Sequence, residues 1–238
     1  MPEGGAQIFH RSARPNDGVV RRVRCWCTRL VTTAVTLKHL LLDFGGPVLL
    51  TPFELVGKAA ETLGPLSWRG PFDTSTDPEY VRWQAGEITE REYWSVRGEP
   101  YGLDLRGLMR HFYEPPGDYL VRPEMAALVS RHRAAGRVVG VLTNDMHAFH
   151  GSEWMESVSV IDQFDFIVDG SITGYLKPDP NAFRLALEAF GDPDPIDVVF
   201  VDDQRINLRG AEAVGMTTVF FDPTDPRGSF ERIESALS

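Results

Sequence analysis

Five short apolar runs, each closed by a polar or turn residue, constrain this chain more than any other feature. The first holds Leu37, Leu40, Leu41, Leu42, Asp43 and Phe44 and ends at Gly45-Gly46-Pro47. The others are Val138 to Thr143, Phe164 to Val168, Val198 to Asp202 and Thr217 to Phe221. Apolar runs of this length read as strands buried on both faces, and helical patterns lie between most of them, one closing at Leu128, Ala135 and Gly136 and another over Phe183 to Gly191. Strands alternating with helices specify a parallel α/β sheet. The expected fold is a doubly wound, mainly parallel, Rossmann-like α/β core.

The interval between the first and second strands is too long for one crossover. Residues 52–117 carry helical signals and no convincing strand. Thr51-Pro52-Phe53-Glu54 and Thr89-Glu90-Arg91-Glu92 have the form of capping boxes, and Asp77-Pro78 opens a further helix. Pro115-Pro116-Gly117-Asp118 then breaks the pattern and returns the chain to the sheet. The expected organisation is a core of residues 36–51 and 118–238, a small all-helical cap over 52–117, and an N-terminal extension over 1–35.

That extension differs in charge from the rest. Residues 1–38 hold seven Lys or Arg and two acids, leaving 17 basic and 32 acidic residues beyond, so a charge of +5 is followed by one of -15. Lacking a sustained apolar period, the segment reads as a disordered tail, a transit peptide or a non-native extension before a functional chain that starts near Val35. An acidic body argues against nucleic-acid and membrane-surface partners and favours small-molecule chemistry. No apolar run approaches the roughly 20 residues of a membrane span. Cys25 and Cys27, the two cysteines, lie in the extension, so the body has no thiol for a disulfide or nucleophile, consistent with a reducing cytoplasm.

Open parallel sheets bind ligands beyond the carboxyl ends of their strands. Three of those ends carry polar chemistry here: Asp43 on the first, Thr143-Asn144 on the second and Asp202-Asp203 on the fourth, with Lys177 just before a helix opening at Asp179-Pro180. Each alone reads as well as a turn or cap residue. In their order, Asp43-Phe44-Gly45-Gly46, Leu142-Thr143-Asn144, Lys177-Pro178 and Val201-Asp202-Asp203 resemble the four motifs of haloacid dehalogenase-like hydrolases, in the subclass with an α-helical cap. The resemblance spans residue 37 to about 222. It implies a magnesium-dependent phosphohydrolase with Asp43 as aspartyl nucleophile, Lys177 and Thr143 as catalytic partners, and Asn144 and Gly46 beside the transferring phosphate. The magnesium ligands are expected to be Asp43, Asp202 and the Gly45 carbonyl, with Asp203 in the outer sphere or paired to Lys177. Three carboxylates against one ammonium leave an excess of about two negative charges, which a divalent, oxygen-ligated cation resolves. The substrate is then a small phosphorylated metabolite; oligomeric state is left open, a homodimer included.

Gly45 departs from the family pattern, in which many phosphatases carry a second Asp two residues after the nucleophile as general acid and base. Two compensations are open: a preference for good leaving groups, or an acid borrowed from the cap. Within the cap, the loop Trp68 to Asp73 is a candidate for facing the site, with Arg69 as substrate contact, while Trp83, Tyr93 and Trp94 read as cap core. His147 and His150 read as surface residues, and Asn207 as a residue that orients the acidic loop. A 2-haloacid dehalogenase-type hydrolase and a catalytically degenerate phosphate-binding relative are the alternatives; Asp202-Asp203 favours phosphoryl chemistry over dehalogenation. The long insertion disfavours a receiver domain, and no Gly-x-Gly-x-x-Gly loop follows the first strand.

Overall fold

The computed structural model describes residues 37–238. The expectations for residues 1–35, Cys25 and Cys27 among them, lie outside the described residues.

The apolar runs become β1 (His39–Leu42), β2 (Val139–Thr143), β3 (Phe166–Asp169), β4 (Val198–Asp202) and β5 (Thr217–Phe220). They form one parallel sheet of order β3-β2-β1-β4-β5. The central strands β1, β2 and β4 are the most apolar, and from Leu40 to Leu42 β1 is fully buried. Strand alternation sends Leu40 and Leu42 into one core and Leu41 into the other. Each such leucine contributes about 1.5–3 kcal/mol by leaving water.

Helices cover both faces. Met125, Leu128 and Val129 of α5 (Pro123–Ala134) and Ile233 and Leu237 of α11 (Pro226–Leu237) fill the first layer. Ala182, Phe183 and Ala186 of α9 (Pro180–Phe190) and Leu208 and Ala211 of α10 (Arg205–Ala213) fill the second. Close approach explains Gly140 in β2: a Cβ there would lie 2.2 Å from the Phe166 ring.

Between β1 and α5 the described chain is helical, with α1 (Val56–Leu63), α2 (Pro78–Ala85), α3 (Glu90–Gly98) and α4 (Leu105–Tyr113). The box at Thr89 forms with Glu92 as its third residue. The box at Thr51 also forms its reciprocal bonds, Thr51 N to Glu54 Oε2 at 2.8 Å and Glu54 N to Thr51 Oγ1 at 3.3 Å, but residues 52–55 are a turn and the helix starts at Val56. The Glu54 carboxylate is instead gripped by Arg122, at 2.9 and 2.6 Å. Phe53, Tyr80, Trp83, Tyr93 and Trp94 make the aromatic centre of the insertion, with ring centroids 4.8–6.4 Å apart. Asp77, the α2 N-cap, is buried there and accepts from the Tyr93 hydroxyl at 2.7 Å and the Gly70 amide at 3.2 Å. Such a group is tolerated only because its lone pairs are filled.

The two links to the insertion lie side by side. Leu49 and Val121 form an antiparallel bridge, and Tyr113 donates to the Leu50 carbonyl at 2.9 Å. The short helices α6 (Met146–His150), α7 (Ser152–Glu156) and α8 (Gly170–Thr173) complete the rim beyond β2 and β3. Among the described residues no helix is long and apolar enough to cross a membrane.

Candidate active site

Sequential strands run outward from β1 on one side as β2 and β3 and on the other as β4 and β5, so strand order reverses at β1. The register sets Leu42 beside Val141 and Val201, which brings the chain positions just after them to one end of the sheet. Asp43 therefore emerges at the switch point, its amide still bonded to the Val201 carbonyl at 2.8 Å. The Asp43 side chain turns back on its own loop, Oδ1 accepting from Phe44 N at 2.8 Å.

Two glycines follow with different constraints. Gly46 has φ +84°, and a Cβ on it would fall 2.6 Å from Asp203 Oδ2. A Cβ on Gly45 would meet nothing within 4 Å. The Gly46 carbonyl accepts from Arg122 Nε at 2.7 Å, so the buried guanidinium that holds Glu54 also holds this loop.

Lys177 lies between two carboxylates, 2.8 Å from Asp43 Oδ1 and 2.7 Å from Asp202 Oδ2. Asn144 fixes that loop: Lys177 N donates to its Oδ1 at 2.7 Å, and its Nδ2 donates to the Lys177 carbonyl at 3.2 Å. Asp202 is fully buried and also accepts from Gln204 N at 2.7 Å and from Asn207 Nδ2 at 3.2 and 3.1 Å. Asn207 thus orients the acidic loop through Asp202. The alternative in which Asp203 pairs with Lys177 is corrected, because the ammonium is already shared by Asp43 and Asp202 while the Asp203 carboxylate lies against Gly46.

Carboxylate oxygens of Asp43, Asp202 and Asp203 approach within 4.8 Å of one another. Burial pushes the Asp43 carboxyl up to about 7, with Lys177 opposing and Asp202 adding to the rise. Burial, then the charges of Asp202 and Asp43, raise Asp203 well above the carboxylate range. Burial works against the Lys177 proton, but Asp202 and Asp43 outweigh it and hold the ammonium above its ordinary range. The protein's own cation leaves this cluster with excess negative charge, and all its donors are oxygens. A hard divalent cation fits that donor set.

A cavity of about 70 Å³ opens over these groups. Asp43, Gly45, Gly46, Thr143, Asn144, Lys177 and Asp203 line it, and Asp202 lies beneath. Arg69 does not: it is exposed, because its neighbour Trp68 turns inward onto Trp94 and Phe112. The loop from Trp68 to Asp73 therefore does not form the cavity wall; Phe72 is 46% exposed.

The insertion instead contributes Trp83, Glu90, Met109 and Tyr113. Trp83 has two roles, since it packs in the aromatic centre and donates its indole N–H to Gln204 Oε1 at 3.0 Å. His150 is not a simple surface residue, for it stacks on Trp154 at 4.0 Å and lines the cavity. Burial, then Arg106, lowers its pKa to about 3, so its ring is neutral near pH 7. Glu90 was legible in the sequence only as a first-turn acid of α3, where any helix favours one. Its place at the cavity depends on the Thr89 and Glu92 capping pair, which leaves Glu90 free to turn toward the sheet.

A family model described as haloacid dehalogenase-like hydrolase matches residues 79–215, more than half of the 238-residue chain. The chain is 34% identical over 117 residues to acyl-CoA dehydrogenase family member 10 of Mus musculus, covering 48% of this chain and 10% of that protein. It is 28% identical over 167 residues to phosphoserine phosphatase of Thermus thermophilus, covering 68% and 61%. It thus spans less than two thirds of either relative. Among solved structures, the putative HAD-hydrolase YfnB from Bacillus subtilis, bound to magnesium, superposes with a TM-score of 0.59 at 17% identity over 78% of this chain and 87% of that one. A dehalogenase superposes at 0.54 and 20% identity over 79% and 86%. At these identities the likeness is one of fold. The matched span starts beyond Asp43, yet it carries the β2 and β4 ends that the sheet sets on either side of that residue, and the chain belongs to the haloacid dehalogenase-like hydrolases.

Proposed function

We propose that this protein is a magnesium-dependent phosphohydrolase that acts on a small phosphorylated metabolite through an aspartyl-phosphate at Asp43. One observation carries the reading. Both protein hydrogen bonds to the Asp43 carboxylate, from Phe44 N and Lys177 Nζ, fall on Oδ1. Oδ2 accepts none from the described residues and belongs to a side chain that lines the cavity. A carboxylate so held has one oxygen fixed and one oxygen available as a nucleophile.

Magnesium held by Asp43, Asp202, Asp203 and the Gly45 carbonyl would supply charge neutralisation for an incoming phosphate. Lys177, pinned by Asn144, keeps its proton and adds a fixed positive charge beside the phosphoryl oxygens. Thr143 and the Asn144 backbone amide would donate to the transferring group. Phosphatases among the relatives support this chemistry, phosphoserine phosphatase of Thermus thermophilus and phosphoglycolate phosphatase of Nitrosospira multiformis among them, the latter 29% identical over 67% of this chain. The domain reading goes with it: residues 52–117 act as the cap over a core of 36–51 and 118–238. The cavity of about 70 Å³ lies open above the acidic cluster. It suits a phosphoryl group, and the rest of a substrate must displace or extend past the helical insertion.

The test is phosphate release from a panel of phosphorylated metabolites and an aryl phosphate, with and without magnesium, for the native chain and Asp43→Asn. Turnover that requires both the metal and Asp43 is expected. A folded native chain that releases no phosphate from any of them would refute the reading, and halide release would then test the dehalogenase alternative.

A further inference from the structure

The alcohol of an alkyl phosphate leaves as an alkoxide unless something protonates it, and the position that would ordinarily supply the proton is Gly45. The cavity offers few substitutes. Asp43 is the proposed nucleophile, and Asp203 belongs to the acidic cluster beside it. Lys177 is bound by two carboxylates and retains its proton. The Tyr113 hydroxyl is committed to the Leu50 carbonyl, and burial holds its proton tightly. His150 is neutral and stacked on Trp154. Asp145 is engaged by the Arg91 guanidinium.

Glu90 remains. It starts α3, it lines the same cavity as Asp43 and Gly45, and none of the described residues pairs a cation with it. Its orientation is set from the core. Gln204 Oε1 accepts the Trp83 indole proton at 3.0 Å, which obliges the Gln204 amide nitrogen to point the other way, and that nitrogen donates to Glu90 Oε2 at 3.2 Å. The Trp94 indole adds a long contact to Oε1 at 3.4 Å.

From this arrangement we infer that Glu90, carried by the helical insertion, is the general acid and base of the reaction, in the role that Gly45 cannot fill. The inference rests on the phosphohydrolase reading. In the first step Asp43 Oδ2 bonds to phosphorus, the bond from phosphorus to the ester oxygen breaks, and the Glu90 proton passes to that oxygen, releasing an alcohol. In the second, the Glu90 carboxylate takes a proton from a water whose oxygen bonds to phosphorus, and inorganic phosphate leaves as Asp43 is regenerated. The Glu90 environment suits the first step. Burial, followed by the charges of Asp145 and Asp43, pushes its carboxyl up to about 8, with the Gln204 bond and Lys177 opposing, so the proton is present at neutral pH. Arg91, Asp203 and Tyr113 complete the ionisable groups around it. Trp83 and Gln204 are positioning residues.

Leaving-group dependence tests this without a known substrate. Phenyl phosphate and 2,4-dinitrophenyl phosphate have similar shapes, but only the first needs a proton on its departing oxygen. With magnesium present, Glu90→Gln is expected to lower kcat/KM for phenyl phosphate by about 10²–10⁴ and to change that for the dinitrophenyl ester by less than about tenfold. Adding Gly45→Asp to Glu90→Gln is expected to restore phenyl phosphate turnover, since the space beyond Gly45 is open. Equal losses on both esters, no loss on either, or no rescue by Gly45→Asp would overturn the assignment while leaving the phosphohydrolase reading intact. Native protein that releases no phosphate from either ester or from any of the phosphorylated metabolites would overturn both.

Discussion

Gly45 and Gly46 are adjacent and identical in sequence, yet alanine should be harmless at one position and destabilising at the other. At Gly46 the φ of +84° costs an L-residue about 1–2 kcal/mol. The new Cβ would also lie 2.6 Å from Asp203 Oδ2, so the carboxylate must retreat by about 0.8 Å to reach ordinary contact, an overpacking effect of about 1–3 kcal/mol. Together these predict that Gly46→Ala loses about 2–5 kcal/mol, or about 4–20 °C in Tm for a chain of this size. Because the retreating group is one of the three clustered carboxylates, the rise in Tm produced by saturating magnesium should shrink as well. Gly45→Ala meets nothing within 4 Å and has no positive φ, so its Tm should remain within about 2 °C of native. Thermal unfolding of the three proteins, with and without magnesium, checks this. A Gly46→Ala protein with native Tm and an undiminished magnesium shift would refute the argument that this glycine exists to admit Asp203.

Two further perturbations follow from the same geometry. Arg122→Met removes the buried guanidinium that joins Glu54 to the Gly46 carbonyl and leaves the Glu54 carboxylate with only Thr51, so denaturant unfolding should show a loss of about 3–5 kcal/mol; a loss under about 1 kcal/mol would mean that water replaces the arginine. Glu90 predicts a pH dependence of stability in the metal-free protein: its folded pKa of about 8 lies above the ordinary 4.5, so its contribution is fully present below 4.5 and is lost as pH rises through about 8. Unfolding free energy should therefore fall across that window by at most about 1.4 kcal/mol per pH unit, and Glu90→Gln should flatten the profile; identical profiles for the two proteins would show that the carboxyl does not titrate there.

The strands and the polar ends of β1, β2 and β4 were legible because both are local. An apolar run buried on two faces has few alternatives, and a carboxylate that ends such a run must emerge at the sheet's carboxyl edge. The helical character of the insertion was legible for the same reason: Thr89 with Glu92 and Asp77 with Pro78 satisfy the first amides of a helix with residues three positions away or fewer.

What the sequence could not determine was which side chains meet across large separations. Arg69 and Glu90 are alike on paper, each a charged residue in a helical insertion, and only the aromatic centre around Trp94 decides that Arg69 points to solvent while Glu90 points to the cavity. The Trp83, Gln204 and Glu90 chain joins residues 114 and 121 positions apart. Arg122 reaches back 76 positions to Gly46. Periodicity and capping are nearest-neighbour signals, and they determined the sheet, the helices and the acidic strand ends. The partners of Lys177, the open space at Gly45 and the place of Glu90 at the cavity depend on how distant segments pack around the strand ends, and tertiary packing alone decided them.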